Sequence, residues 1–469
     1  MKIRVFLMFF IVASVTSCQR GRYKSEIHKV QARENVKDTT WESYTAVTID
    51  ELPGFRYSKD PEISAYGGWK VFRSTATGFY RVEKRRGRWW IIDPEGYPYL
   101  NKAVCVFMPG TSDGQKSALI AKYGSEDNWV KRESDFLKEI GFNGTGSFGA
   151  IDLMRKNNIQ WAYTLMARPM FEYKREHSKK YGKYEQAGFQ GYRYDLVMAF
   201  DPEFDAYVEK AIAPCAQYAN DRNMLGYYID NELPWKKNAL DRHLTYLGKT
   251  EPGYIAAKKW LDQRKGKDTS IEDVNDQDRL EFTGFYFETY IRKVSEALRK
   301  YDPNHLFLGC RFNKLSEVWD NPEIFRVAGK YMDIISINHY RHWEPDQSIM
   351  ANWATWSGKP FLITEFYVKG EDSGLPNNAG AGWIVQTQED RGLFYQNFTI
   401  NLLKNKSCVG WHWFTYQDND PTNFKASRSQ RDSNKGIVDG NFVSYKPLVA
   451  YMSLLNNHTY ELIQYLDKK

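Results

Sequence analysis

The stretch "NMLGYYIDNELPW", residues 223–235, decides how this chain is read. Met224, Leu225, Tyr227, Tyr228 and Ile229 make a short apolar run of strand length. Such a strand ordinarily ends in turn residues, yet this one runs into Asp230, Asn231 and Glu232. Carboxylates are rarely buried without a partner, because desolvating the charge is costly. An acidic cluster at the end of a core strand therefore calls for a buried counter-charge or a chemical role.

Similar strands recur along the chain. Strand candidates lie at 100–107, 142–145, 159–166, 224–229, 305–310, 333–337, 360–364 and 408–414, with helical patterns between them. Phe204, Tyr207, Val208, Ala211, Ile212, Cys215 and Tyr218 fall on one helical stripe, and Pro214 predicts a kink in it. Phe287, Tyr290, Ile291, Val294, Ala297 and Leu298 repeat the stripe before the stop "YDPNH". Strands alternating with helices in this way predict the α/β class and a (β/α)8 TIM barrel; a doubly wound open sheet with an appended domain is the alternative. The long irregular segments, 167–202, 233–276, 366–388 and 415–441, all follow strand ends. That asymmetry fits a barrel whose long loops and site lie on its C-terminal face. Ahead of a barrel at 99–469, residues 56–98 read as N-terminal strands packing on it, and residues 18–55 as a polar, irregular tether.

The fourth strand ends "YYIDNELPW" and the seventh "KPFLITEFY", so Glu232 and Glu365 both project into one mouth. Two facing carboxyl groups suit glycoside hydrolysis, where one donates a proton and the other attacks or activates water. The blander alternative pairs either glutamate with a buried arginine such as Arg168 or Arg311. Burial and the charge of Glu365 should raise the pKa of Glu232 if it is the acid. Asp230, on the same strand face, reads as its support. The eighth strand reads "VGWHWFTYQD", with Trp411 and Trp413 on one face and His412 and Phe414 on the other. An indole at the mouth would make a platform for a sugar ring, though core filling explains either tryptophan. The sixth strand ends "SINHYRHW", where Asn338, His339 and Tyr340 are placed to hydrogen-bond a nucleophile or a sugar hydroxyl. Arg168 is placed to meet a sugar or its sulfate.

With 42% hydrophobic and 16% aromatic residues, the chain of 469 residues can bury a large core. The leader "MKIRVFLMFFIVASVTSCQRG" has a charged start at Lys2 and Arg4 and an apolar run too short to anchor a span. It resembles a lipoprotein signal, implying cleavage after residue 17, lipidation of Cys18 and attachment to the outer membrane, facing the periplasm or the cell surface. Losing Lys2 and Arg4 takes the formal charge from +7 to +5. That mild, scattered excess points to no nucleic-acid partner. Cys105, Cys215, Cys310 and Cys408 lie far apart without CxxC spacing, and read as buried thiols. "GTGSFG", residues 144–149, matches a dinucleotide loop, but the following strand ends "TLMARP" without the acidic residue that loop needs. His339 and His342 lack a third ligand, so neither a metal nor a cofactor is expected.

"NE" after the fourth strand and "TE" after the seventh resemble the clan A retaining glycosidases. More narrowly, "GRWWIIDPEGYPYL", "IGFNGTGSFG", "FDPEF", "YYIDNELPW", "YDPNHLFLG", "ITEF" and "GWHWFTYQD" are similar to the glycoside hydrolase family 50 agarases. The segment "WLDQRKGKDTSIEDVN" is similar to the family 42 β-galactosidases. The resemblance covers residue 78 to the C-terminus. It implies Glu232 as general acid/base, Asn231 on the substrate 2-hydroxyl, Glu365 as nucleophile with Tyr340 as its partner, and Trp413 as sugar platform beside His412. The function it implies is retaining hydrolysis of β-linked galactosides, on an oligosaccharide or polysaccharide substrate. A glycan-binding lipoprotein without turnover and a nicotinamide-dependent oxidoreductase are the rival classes.

Overall fold

In the computed structural model, which describes residues 28–57, 61–181 and 190–468, eight strands lie side by side in parallel. They are β1 (Asn101–Val104), β2 (Gly144–Thr145), β3 (Ala162–Ala167), β4 (Met224–Ile229), β5 (Leu306–Gly309), β6 (Ile335–Asn338), β7 (Phe361–Phe366) and β8 (Cys408–Trp413). Their order is β5-β4-β3-β2-β1-β8-β7-β6. The circle closes just past β5, where Phe312 N–H donates to the Ser336 carbonyl (2.9 Å) and Asn338 N–H to the Phe312 carbonyl (2.8 Å). The sheet is therefore a (β/α)8 barrel, not the open sheet. All six residues of β4, of β7 and of β8 are buried. Strands covered on both faces read as continuous apolar runs rather than alternation, and this is the pattern the sequence carries.

Close approach fixes two glycines. A Cβ on Gly226 would sit 2.2 Å from the Leu306 carbonyl oxygen, and one on Gly410, at φ +152°, 2.2 Å from that of Asn101. Both seams, β4 to β5 and β8 to β1, thus need the missing side chain. The stripe from Phe204 forms a helix to Ile212 and then tightens into a 3-10 segment, Ala213–Tyr218, at the expected proline. Phe287, Tyr290, Ile291, Val294 and Leu298 are buried along the helix Asp276–Tyr301.

Two expectations need correction. The segments 167–202 and 233–276 are not irregular: they hold the helices Pro169–Tyr181, Ala239–Tyr246 and Pro252–Lys265. Nor are residues 28–46 a tether. His28–Arg33 and Glu42–Ala46 pair with each other, and the former also pairs with Ile384–Val385 in the loop beyond β7. Val30 and Ala32 are buried there, so this segment buries apolar surface that a tether would leave wet. Arg81–Arg85, Arg88–Ile92 and Pro98–Tyr99 form a separate antiparallel sheet. Buried Arg88 ties it to Asp467 at 2.7 and 2.9 Å and to the Leu403 carbonyl. The leader and Cys18 lie outside the described residues. Cys105, Cys215, Cys310 and Cys408 are buried free thiols.

Candidate active site

Backbone strain gathers at one end of the barrel. Val106, Phe148, Asp230, Glu232, Arg311 and Arg341 all have φ between 52° and 66°, and each lies within three residues of the C-terminal end of a barrel strand. Left-handed backbone is unfavourable for residues with a side chain, and such strain clusters where a fold presents functional groups. Here it turns the chain just past the strands, and Glu232 and Arg311 are presented to the mouth in this way.

Glu365, the next-to-last residue of β7, is almost wholly buried, and both carboxylate oxygens have donors. Arg311 donates through Nη2 to Oε1, and the Tyr340 hydroxyl donates to Oε2. Arg311 is fully buried; the same Nη2 reaches the Thr364 carbonyl at 3.2 Å, and the guanidinium lies 5.3 Å from the Tyr228 ring and 5.5 Å from that of Phe148. Its Nε and Nη1 have no hydrogen-bond partner among the described residues. The Tyr340 phenol is raised well above its usual value by burial and by Glu365, so it stays a donor.

Glu232, three residues past β4, accepts from Asn338 Nδ2 (2.8 Å) and Gln190 Nε2 (3.1 Å). Asn338 is held in turn by the Thr364 hydroxyl at 2.7 Å. The Glu232 carboxyl is pushed up to about 7, first by burial and then by the charge of Glu365, while the Asn338 amide pulls it down. Two glutamates thus face one another electrostatically, one paired to a cation and the other favouring its proton. Asp230 plays neither part. Its oxygens take the Met170 and Phe171 N–H groups (3.0 and 3.1 Å) and the Tyr290 hydroxyl (2.8 Å), so it caps the helix Pro169–Tyr181. Burial pushes its carboxyl up to about 6.

The structure brings Glu232, Glu365, Tyr340 and Asn338 together. Asn231 sits between Asp230 and Glu232 with its Oδ1 buried and without a hydrogen-bond partner among the described residues. Arg168 is exposed at the rim, its guanidinium 4.6 Å from the Phe171 ring. Four residues proposed for substrate contact are misplaced. Trp411 and Trp413 are fully buried and face outward from the barrel: the Trp411 indole donates to the Tyr395 hydroxyl (2.8 Å), and Trp413 packs on Phe366 and Tyr395. Neither is a sugar platform. His412 points into the barrel interior, with Nε2 2.6 Å from Asn101 Oδ1, and is fully buried. His339 is packed among Trp319, Trp353 and Phe398. Burial pushes both imidazoles down to about 3, so both stay neutral. The sequence reading weighed Arg311 only as a counter-charge. Its signal was a lone cation at the end of the apolar run "LFLGCRF", the same kind of clue that singled out Glu232. Among the described residues no group of His, Cys, Asp or Glu is arranged to hold a metal.

No family model matches the chain. It is 32% identical to a solved structure described as "BpGH50", covering 94% of this chain and 96% of that one with a TM-score of 0.82. A solved exo-beta-agarase is 21% identical over 86% of this chain and 68% of its own, TM-score 0.73, which shows the shared fold. Beta-agarase B of Vibrio sp. (strain JT0107) is 26% identical over 86% of this chain. The chain spans about half the length of that relative (51%) and a third (33%) of beta-agarase A from the same strain.

Proposed function

Because the chain belongs to glycoside hydrolase family 50, we propose that it is a retaining glycosidase that cleaves β-linked galactosides of agarose-type chains. The observation that carries this reading is the unequal treatment of Glu232 and Glu365. In the first step Glu365 attacks the anomeric carbon as the glycosidic C–O bond breaks. Glu232 gives its proton to the departing oxygen. In the second step Glu232, now a carboxylate, takes a proton from water. The resulting hydroxide displaces Glu365, and both glutamates return to their starting states. Arg311 and Tyr340 orient the nucleophile, and Asn338 orients the acid. Asn231 is assigned to the sugar 2-hydroxyl.

The long segments that follow β3, β4, β7 and β8 in the sequence support action at chain ends or on short oligosaccharides. The leader supports an exported lipoprotein anchored in the outer membrane through Cys18; palmitate labelling lost in Cys18→Ala tests this. The activity is tested by reducing-sugar release from agarose oligosaccharides and other β-galactans. Wild type should release sugar and Glu365→Ala should not. Turnover that survives in Glu365→Ala would remove the proposed nucleophile.

A further inference from the structure

At the end of the barrel opposite the mouth lies a cavity of about 740 Å³. Lys102, Asn143, Trp161 and Asn223 line it, each within one residue of the start of β1, β2, β3 or β4. No aspartate or glutamate is among the described residues that line it, whereas Lys102 and Lys138 both are. His458, also in the lining, is taken up by Glu461 at 3.2 Å. The cavity thus presents ammonium groups and no carboxylate, and nothing at the mouth makes use of them.

Lys102 is the buried member of the pair, 6% exposed. Its Nζ donates to the Asn456 carbonyl at 2.5 Å and lies 5.7 Å from the Tyr460 ring. Asn456 stands in the last turn of the helix Lys446–Asn457, so this bond caps a helix end. A cap uses one of three ammonium donors and accounts for neither the other two nor the cavity. Burial pushes the amine down to about 7, against the pull of Glu461. The other titratable groups lining the cavity are Lys138, His458, Tyr66, Tyr80 and Tyr460. A cation kept where burial opposes it weakens the fold, so its value lies elsewhere. Trp161, 4% exposed, carries an indole N–H with no partner among the described residues. Lys102 and Trp161 therefore offer three buried donors and one charge to a ligand.

A sulfate monoester answers that set, with three terminal oxygens that accept and a single negative charge. A phosphate monoester would bring nearly two charges to one buried ammonium. Around the donors stand the partly exposed ring of Tyr66, a flat face for a sugar, and the amides of Gln160 and Asn223, which pair with hydroxyls. The Arg222 guanidinium lies 5.6 Å from the Tyr66 ring and adds positive charge at the rim. We propose that this cavity is a second, non-catalytic site, which holds a sulfated sugar of a galactan chain through Lys102, Lys138 and Trp161. The inference rests on the glycosidase reading for the class of sugar and goes beyond it in giving the chain a grip on polymer away from the mouth.

The test is calorimetry on Glu365→Ala protein whose mouth is saturated with neutral agarose oligosaccharide. The titrants are a sulfated galactan oligosaccharide and inorganic sulfate. The sulfated oligosaccharide should bind, and its affinity should fall about tenfold in Lys102→Met and in Lys138→Gln, the scale of one lost hydrogen bond. Lys138 is exposed, so its variant probes the site without disturbing the fold. Binding at pH 8 should also take up a proton, because an anion beside Lys102 favours the ammonium form. In Lys102→Met that uptake should vanish; a helix cap alone would not couple a proton to the ligand. A parent that binds no sulfated oligosaccharide, unchanged affinity in both variants, or binding without proton uptake would each overturn the site. Inorganic sulfate that binds as tightly as the oligosaccharide would overturn the sugar and mark a free oxyanion as the ligand. Wild-type turnover of neutral oligosaccharides is measured in parallel: its absence would remove the glycosidase reading, while the variants would still decide the site.

Discussion

Arg311 is the residue on which the geometry of Glu365, the proposed nucleophile, depends. It is fully buried against Glu365, and two of its nitrogens have no other partner among the described residues. Breaking a buried pair from one side leaves the other charge uncompensated and costs about 3–5 kcal/mol. Arg311→Met should therefore lose activity by roughly 10²-fold or more, the scale of removing one preorganised donor, and its thermal transition should fall as well. A variant with wild-type kcat/KM would remove Arg311 from the account. Glu232 makes a second prediction. As the proposed acid it must carry a proton to start the reaction, and burial and the charge of Glu365 hold it at about 7, so kcat/KM should fall above about pH 7. The Asn338 amide stabilises the ionised form, hence Asn338→Ala should move that alkaline limb to higher pH. A limb that stays or moves down contradicts the assignment. The same shift has a stability consequence. The folded chain holds this proton more tightly than the unfolded chain, whose carboxyl keeps its ordinary 4.5. Stability from Glu232 is thus present below pH 4.5 and is lost as pH rises to about 7.

Placement at the mouth was legible where a charge ended an apolar run, as at Glu232 and Glu365. It was not legible on β8. A strand buried on both faces carries aromatic side chains on either one, so alternation separates Trp413 from His412 without saying which points inward. The indoles turned out to belong to the layer between sheet and helix.

At the scale of elements, Asp230 joins β4 to the helix Pro169–Tyr181. A carboxylate supplied from a neighbouring strand satisfies two of the N–H groups that every helix start leaves without partners. It lies two residues before Glu232, so the cap and the acid share one strand end. Asp230→Ala should cost about 1–3 kcal/mol by leaving buried donors unmade, read as a lower urea midpoint, and should reduce kcat by displacing Glu232. An unchanged midpoint would mean that the helix start finds other acceptors. The eight strands were readable from their apolar runs, and β4 was placed to the residue at 224–229. The helices inside 233–276 escaped because they are short, lie on the loop side and bury few residues: Ala257 and Leu261 in Pro252–Lys265, for instance.

The whole molecule is a closed barrel that borrows a strand from its own N-terminal segment. His28–Arg33 clamps Ile384–Val385, and the loop between β7 and the helix Gln388–Lys404 is thereby fixed beside the mouth. Nothing in the polar sequence of residues 28–46 marks that pairing, because its partner is about 350 residues distant and only two residues long. The alternation of eight strands with helices was legible and favoured a barrel over an open sheet, while closure itself is shown by the Phe312 hydrogen bonds to β6. What closure does is to hold β4 and β7 in fixed register around one mouth, where the proposed function puts Glu232 and Glu365 on opposite sides of the bond to be cut. That arrangement makes a stereochemical claim. Proton NMR of the anomeric signals in the first minutes of agarose-oligosaccharide hydrolysis tests it directly, with Glu365→Gln as the blank. Double displacement at Glu365 should release the β-anomer first, with α appearing only as the sugar mutarotates. Initial release of the α-anomer would mean that water attacks directly and that Glu365 is not the nucleophile.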